Sequence, residues 1–288
     1  MNKILITGAY GQLGNEIKML SAGMPGFEFL FTDYDTLDIT DPLAFRIYME
    51  DARPDFVVNC AAYTAVDKAE QDQEACYSLN AVAPGIIAGN CRHFSARFIQ
   101  LSTDYVFDGT HCTPYSEDDP VNPQGVYGVT KREGELSCLA DPEVIIIRTS
   151  WLYSTFGNNF VKTMLRLGRE KDQLNVVFDQ VGTPTYAADL AAAVLKIISL
   201  SADNRECWKP GIYHYSNEGA CSWYDFANVI HHLAGIGCKL FPVETKDFVT
   251  LAKRPAYSVL NKSRIKETFG LTIPWWMDSL NVCMQSIK

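Results

Sequence analysis

The chain has 288 residues, 47% of them hydrophobic, enough for a large core or for two domains sharing an interface. A formal net charge of −9 argues against nucleic acid or an anionic membrane surface as the main partner, and no apolar run approaches the roughly 18 residues of a membrane span. Nine cysteines, with no C-x-x-C or Cys/His ligand pattern, favour reduced core thiols over disulfides or a metal site, and with an N-terminus that runs straight into a strand they predict a cytoplasmic protein without a signal peptide.

Residues 4–7 (ILIT) form a β-branched apolar run that suits a buried parallel strand. The run enters Gly8-Ala-Tyr-Gly11-Gln12-Leu13-Gly14, after which Glu16, Ile17, Met19 and Leu20 begin a helical pattern. A strand turning into a helix through glycines three apart brings bare amides against a pyrophosphate, and the helix N-terminus adds partial positive charge. Residues 27–32 (FEFLFT) read as a second strand ending at Asp33. That carboxylate is placed either to bind an adenosine ribose hydroxyl or to serve as an ordinary turn aspartate. Leu37 to Thr40 is a loop, and Asp41-Pro42 reads as an N-cap followed by proline in the first helical turn. Residues 55–60 form the third strand and lead into Ala61-Ala62-Tyr63-Thr64, small residues at first, which permit close approach of a flat ligand.

Residues 67–94 are largely helical, with Asn80 inside and Pro84 interrupting the helix. Residues 97–102 form the fourth strand, 127–139 a helix and 144–149 a fifth strand, so four βα units in a row predict an α/β fold, a Rossmann-type doubly wound parallel sheet over residues 1–150. Residues 151–288 form a smaller, interwoven C-terminal substrate-binding region. Its expected helices are at 156–167, 187–200 (returning to the sheet) and 223–234, with strands at 174–178 and 212–216 and short helices at 262–269 and after Pro274. His231-His232 reads as a solvated or capping pair, and Trp275-Trp276 as an anchor of the tail.

Tyr127 and Lys131 stand four apart, on one face of a helix. A fixed positive charge beside a phenol lowers its pKa toward the working range of an acid/base catalyst. Ser102 and Thr103 lie at the carboxyl end of the fourth strand, where open sheets bind ligands, and a hydroxyl there can donate to a carbonyl oxygen as it becomes alkoxide. Glycine turn, hydroxyl and Tyr/Lys pair together predict short-chain dehydrogenase chemistry.

The sequence resembles the dTDP-4-dehydrorhamnose reductase family, an extended branch of the short-chain dehydrogenases. The matching stretches are ITGAYGQLG, LDITD, VNCAAYTAVDKAE, LNAVAP, LSTDYVFDG, YGVTK, RTSWLYS, GNNFVKTML, DQVGTPTYAADLA and RPAYSVL, in order across most of the chain. The resemblance implies that Gly11, Gln12 and Leu13 contact the cofactor phosphates, Asp38 and Ile39 flank the adenine, and Ala61, Ala62 and Tyr63 line the groove. Thr103, Tyr127 and Lys131 would be the catalytic set. Thr103 and Asp104 would touch the sugar and Trp151 pack on it; Asn159, Arg254 and Ser258 would bind the nucleotide diphosphate. Core packing for Trp151 and a surface ion pair for Arg254 stand as the competing readings. The implied reaction is reduction of the C4 ketone of dTDP-6-deoxy-L-lyxo-4-hexulose by NADPH or NADH. A reductase of another 4-keto nucleotide sugar is the nearer alternative; a non-catalytic subunit like the regulatory one of methionine adenosyltransferase is the farther. Neither a metal nor a nucleic-acid partner is expected, and a homodimer is left open.

Overall fold

The apolar runs become the strands β1 (Asn2–Thr7), β2 (Phe27–Thr32), β3 (Phe56–Asn59), β4 (Arg97–Thr103) and β5 (Val144–Thr149) in the computed structural model, which describes residues 1–287. A sixth strand, Gly211–His214, pairs beside β5, and the order across the sheet is Gly211–His214, β5, β4, β3, β1, β2, every pair parallel. Continuous apolar strands are needed because both faces are covered. Ile4 and Ile6 point into a layer with Ile17, Val58, Ile147 and Val194, whereas Leu5 points into the opposite layer with Phe45, Val57, Ile87 and Ile146. Each such side chain, fully buried, contributes about 1.5–3 kcal/mol.

β1 lies between β2 and β3, so the strand order reverses there and opens a crevice at the carboxyl ends of the sheet. Helix Pro42–Ala52 starts as expected, with Asp41 capping the Leu43 and Ala44 amides. The long stretch before β4 is broken more finely than the sequence suggested. Val66–Ala69 and Gln73–Tyr77 are short helices, Ser78–Val82 is a π-turn, and Pro84 sits in the first turn of Ala83–Phe94, where its missing N–H costs nothing.

Residue 150 is not a clean boundary. Helix Ala187–Asp203 packs in the same layer as β1 and the first helix, and Gly211–His214 extends the sheet. The remaining C-terminal elements make their own core, with Phe226, Ile230 and Leu280 joining helices Phe160–Glu170, Trp223–Ala234 and Trp276–Ser286.

Four local expectations are corrected. The first helix begins at Gln12, so Gly14 lies within its first turn, and Met19 and Leu20 are exposed while Glu16 and Ile17 are buried. The helix expected from 156 starts at Phe160, because the Asn159 side chain caps the Lys162 amide at 3.1 Å. His231 is buried with Nε2 3.0 Å from the Met164 carbonyl, on the helix face turned to its neighbour. Of the tryptophan pair, Trp276 anchors the tail in the core and Trp275 is exposed.

Candidate active site

At the end of β1 the chain turns through Gly8 at φ +64°, the left-handed region that glycine enters freely. A Cβ on Gly8 would stand 2.5 Å from the Ala61 amide nitrogen, and one on Gly14 would stand 2.5 Å from the Gly8 carbonyl oxygen. The glycines therefore let helix Gln12–Ser21 rise directly behind β1. Gly11 is its N-cap; no side chain caps it and no acid occupies its first turn, so its leading amides are open to an anion. Gly14→Ala forces backbone apart at this point; we expect NADP(H) affinity measured by fluorescence titration to fall at least about tenfold, with a lowered melting temperature.

A cleft of about 450 Å³ runs from this turn along the carboxyl ends of β1–β3, lined by Gly8, Gly11, Asp33, Asp38, Ile39, Ala61 and Ala62 among others. Both readings of Asp33 meet here. Its carboxylate accepts the Tyr10 and Tyr34 amides, each at 2.8 Å, as a turn aspartate does, and it also faces the cleft. Asp38 is held by the Thr40 amide and hydroxyl. Tyr63 does not line the cleft itself. Its backbone is clamped on both sides by the Asn80 amide, at 2.9 and 3.0 Å, which holds the adjoining Ala61-Ala62 wall. Asn80 also reaches Thr130 on the helix that carries Tyr127 and Lys131. Its place in the π-helical segment Ser78–Val82 sets it apart, a feature that a helical pattern in the sequence does not carry.

A second cleft of about 590 Å³ shares Gly11, Cys60 and Ala62 with the first and continues it. Thr103, Asp104, Tyr127, Lys131 and Trp151 all line it. Gly128 allows the helix Val126–Cys138 to lie close, since a Cβ there would be 2.3 Å from the Tyr105 carbonyl. Lys131 is buried and donates from Nζ to the Leu101 carbonyl at 2.7 Å; burial lowers its pKa to about 8, against the raising influence of Glu135. The Tyr127 phenol is pushed well above its ordinary value by burial, with Thr103 pulling down and Asp104 pushing further up. The expectation that Lys131 lowers the phenol is thus not met in the chain by itself. Desolvation dominates the phenol, and the Lys131 ammonium is engaged by a backbone carbonyl. The Thr103 hydroxyl donates to Asp104 at 3.1 Å and accepts from the Tyr105 amide at 3.2 Å. Asp104 is 2% exposed, and its Oδ2 has no hydrogen-bond partner among the described residues. Burial raises its pKa to about 6, against hydroxyls of Ser258 and Thr103 that lower it.

Below the cleft, Glu135 holds three groups in place. Arg148 forks onto both its oxygens at 2.8 and 2.9 Å, Ser102 donates at 2.6 Å, and Arg132 at 2.8 Å. Burial pushes the Glu135 carboxyl up, but the hydrogen bonds and charge of Arg148 more than offset this, and it stays below its usual range. Removing one partner of such a buried pair costs about 3–5 kcal/mol.

At the outer side, Trp151 adopts φ +46° and stacks on Trp223 with ring centroids 3.5 Å apart. Gly182 leaves room for the indole, since a Cβ there would stand 2.6 Å from it. Trp223 also lines the cleft, a residue that sequence reasoning read only as the start of a helix. Ser258 is buried beside Asp104. Two expected diphosphate residues are engaged elsewhere. The Asn159 amide caps its helix and bonds Gln12 and Ser154, leaving Gly157 and Asn158 at the cleft. Arg254 forks onto Asp67, the ion pair that was its competing reading.

The open amides at Gly11, the glycine turn without room for a Cβ and the flat Ala61-Ala62 wall fit a dinucleotide that would run from the first cleft into the second. Among the described residues no three His, Cys, Asp or Glu side chains gather as a metal site, and no helix is long and apolar enough to cross a membrane. Parallel sheet, glycine turn and a Tyr/Lys pair over the crevice define a nicotinamide-dependent oxidoreductase of the short-chain dehydrogenase type. Within that class the chain belongs to the RmlD substrate binding domain family, whose model matches residues 1–288. It is 40% identical to the dTDP-4-dehydrorhamnose reductase of Aggregatibacter actinomycetemcomitans, covering 97% of each chain. The crystal structure of such a reductase from Clostridium acetobutylicum superposes with a TM-score of 0.93 at 45% identity, over 99% of each chain. Another, from Bacillus anthracis in complex with NADP, gives a TM-score of 0.93 at 36% identity, over 99% of this chain and 100% of that one.

Proposed function

We propose that this chain is a cytoplasmic reductase that converts dTDP-6-deoxy-L-lyxo-4-hexulose to dTDP-L-rhamnose, the closing step in making that sugar nucleotide. The observation that carries the reading is that Thr103, Tyr127, Lys131 and Trp151 line one cleft continuous with the glycine turn. When bound, NADPH or NADH supplies the hydride. The chain's own residues do the rest. Tyr127, kept protonated by burial, gives its proton to the C4 oxygen as that oxygen becomes alkoxide. Thr103, once its hydroxyl turns from Asp104 Oδ1, donates a hydrogen bond to the same oxygen, and the Lys131 ammonium steadies the phenolate left behind. The unpartnered Asp104 Oδ2 accepts from a sugar hydroxyl, while the Trp151–Trp223 stack covers the ring and excludes water. At the adenosine end we assign Asp33 to the ribose and Asp38 and Ile39 to the adenine. Among the described residues no lysine or arginine lines that cleft, so NADH is used beside NADPH.

The test follows absorbance at 340 nm with enzymatically generated dTDP-6-deoxy-L-lyxo-4-hexulose and each cofactor in turn. Rapid oxidation of both, with dTDP-rhamnose as product, is the expected result. Cofactor binding without oxidation would discard the reductase reading for this sugar.

A further inference from the structure

Three buried amide and hydroxyl side chains cross the sheet just beneath the clefts. Thr7 Oγ1 donates to Asn59 Oδ1 at 2.7 Å, Asn59 Nδ2 donates to Gln100 Oε1 at 2.9 Å, and Gln100 Nε2 donates to the Leu101 carbonyl at 2.7 Å. They lie in register, Thr7 opposite Asn59 and Asn59 opposite Gln100, so one row of side chains spans β1, β3 and β4. All three are at most 2% exposed. Two buried primary amides are costly unless every bond is made, because each group left unpaired keeps its desolvation penalty.

The row begins at the cofactor turn and ends at the lysine. Asn59 Oδ1 also accepts the Ala61 amide at 3.1 Å, and the Leu101 carbonyl that closes the row accepts Lys131 Nζ at 2.7 Å. Its polarity has one solution. An ammonium has no acceptor, so the Leu101 oxygen must accept from it. Gln100 therefore presents its NH₂ to that oxygen and its carbonyl to Asn59. The Asn59 oxygen is left to take the Thr7 hydroxyl and the Ala61 N–H. The Leu101 oxygen has two lone pairs and receives two donors.

We infer that Gln100 is a positioning residue for Lys131: by occupying one lone pair of the Leu101 carbonyl, it confines the ammonium to the other and keeps its remaining N–H groups turned toward the cleft. The inference rests on the reductase reading for the meaning of that cleft. The energetic ordering supports it. A hydrogen bond from a charged donor is roughly twice as strong as a neutral one. With the weaker donor gone, the carbonyl would turn wholly to the ammonium and draw it away from the phenol. The far end of the row fixes Ala61, so one device sets both the cofactor wall and the lysine.

The test compares wild type with Gln100→Met, close in volume but without the amide, and Gln100→Glu, which keeps the shape and adds a carboxylate beside the ammonium. In full-length protein carrying [ε-¹³C]lysine, the Lys131 resonance, assigned by its loss in Lys131→Arg, is titrated by NMR without any sugar present. We expect the Lys131 titration to move up by about half a unit or more in Gln100→Met and further in Gln100→Glu. In the 340 nm assay kcat should fall about tenfold in Gln100→Met, with KM for cofactor and sugar within about twofold of wild type. Should Gln100→Met not fold, the shape-conserving Gln100→Glu gives the same two readings. An unmoved Lys131 titration in the folded variants, or a kcat loss matched by KM and melting temperature alone, overturns the inference. A wild type that leaves the ketone unreduced discards the reductase reading instead, and the titration still decides what Gln100 does to Lys131.

Discussion

Tyr127→Phe will lower kcat by about 10²–10⁴-fold and leave the dissociation constant of NADPH nearly unchanged. The ring stays, edge-on to Tyr105 with centroids 5.5 Å apart, so the packing that places the helix is preserved and only the acidic oxygen is lost. Burial holds the phenol well above its ordinary value, which means the proton is present throughout the physiological range and the alkoxide is the stronger base that takes it. On this reading the phenolate left in a dry site calls for a nearby cation. Lys131 is the nearby cation on the same helix, its own pKa lowered to about 8, so rates should decline on the alkaline side as the ammonium discharges. Steady-state rates from pH 6 to 10 and a fluorescence titration of NADPH on the variant give both halves of this prediction. Near-normal turnover would remove Tyr127 from the chemistry.

Much of this arrangement was legible in the residues. Unbroken apolar runs such as VIII at 144–147 have no solvent face to offer, so a doubly covered parallel sheet was the one home for them. The glycine turn and the Tyr/Lys spacing were equally readable, because each is a local pattern with a local physical cause. Contacts between distant segments were not. Trp223 meets Trp151, Arg254 meets Asp67 and Arg148 meets Glu135 only after the chain has folded. The sign of the Tyr127 shift failed for a related reason: spacing reports who stands beside a group, whereas burial depends on everything packed around it. Asn159 illustrates the same limit at short range: a residue suited to bind a ligand is also a good N-cap, and its side chain here caps Phe160–Glu170 while bonding Gln12 at the cleft.

Asp104→Asn is expected to make the protein more stable and less active. The wild-type carboxyl titrates near 6 in the folded chain, raised from about 3.8 by burial. A raised acid binds its proton more tightly in the native state than in the unfolded one. Stability therefore falls as pH rises from about 4 to 6, by about 3 kcal/mol at the most, and stays low above that. Asparagine is neutral at every pH and escapes this loss. The variant should melt several degrees above wild type at pH 7.5, and the two curves should converge toward pH 4. Scanning calorimetry across that range reads the difference, and parallel curves would show that the carboxyl is not held up by burial. The same change replaces the unpartnered Oδ2 acceptor, either with a donor that cannot take a proton from a sugar hydroxyl or with a weaker, uncharged oxygen. A charge-assisted hydrogen bond lost in a dry site corresponds to about a 10- to 100-fold rise in KM for the nucleotide sugar. KM for the cofactor should change less, because Asp104 is absent from the first cleft, where the adenosine half and the glycine turn lie. A burial cost retained at a position where asparagine would fold better is the mark of a group kept for what it binds.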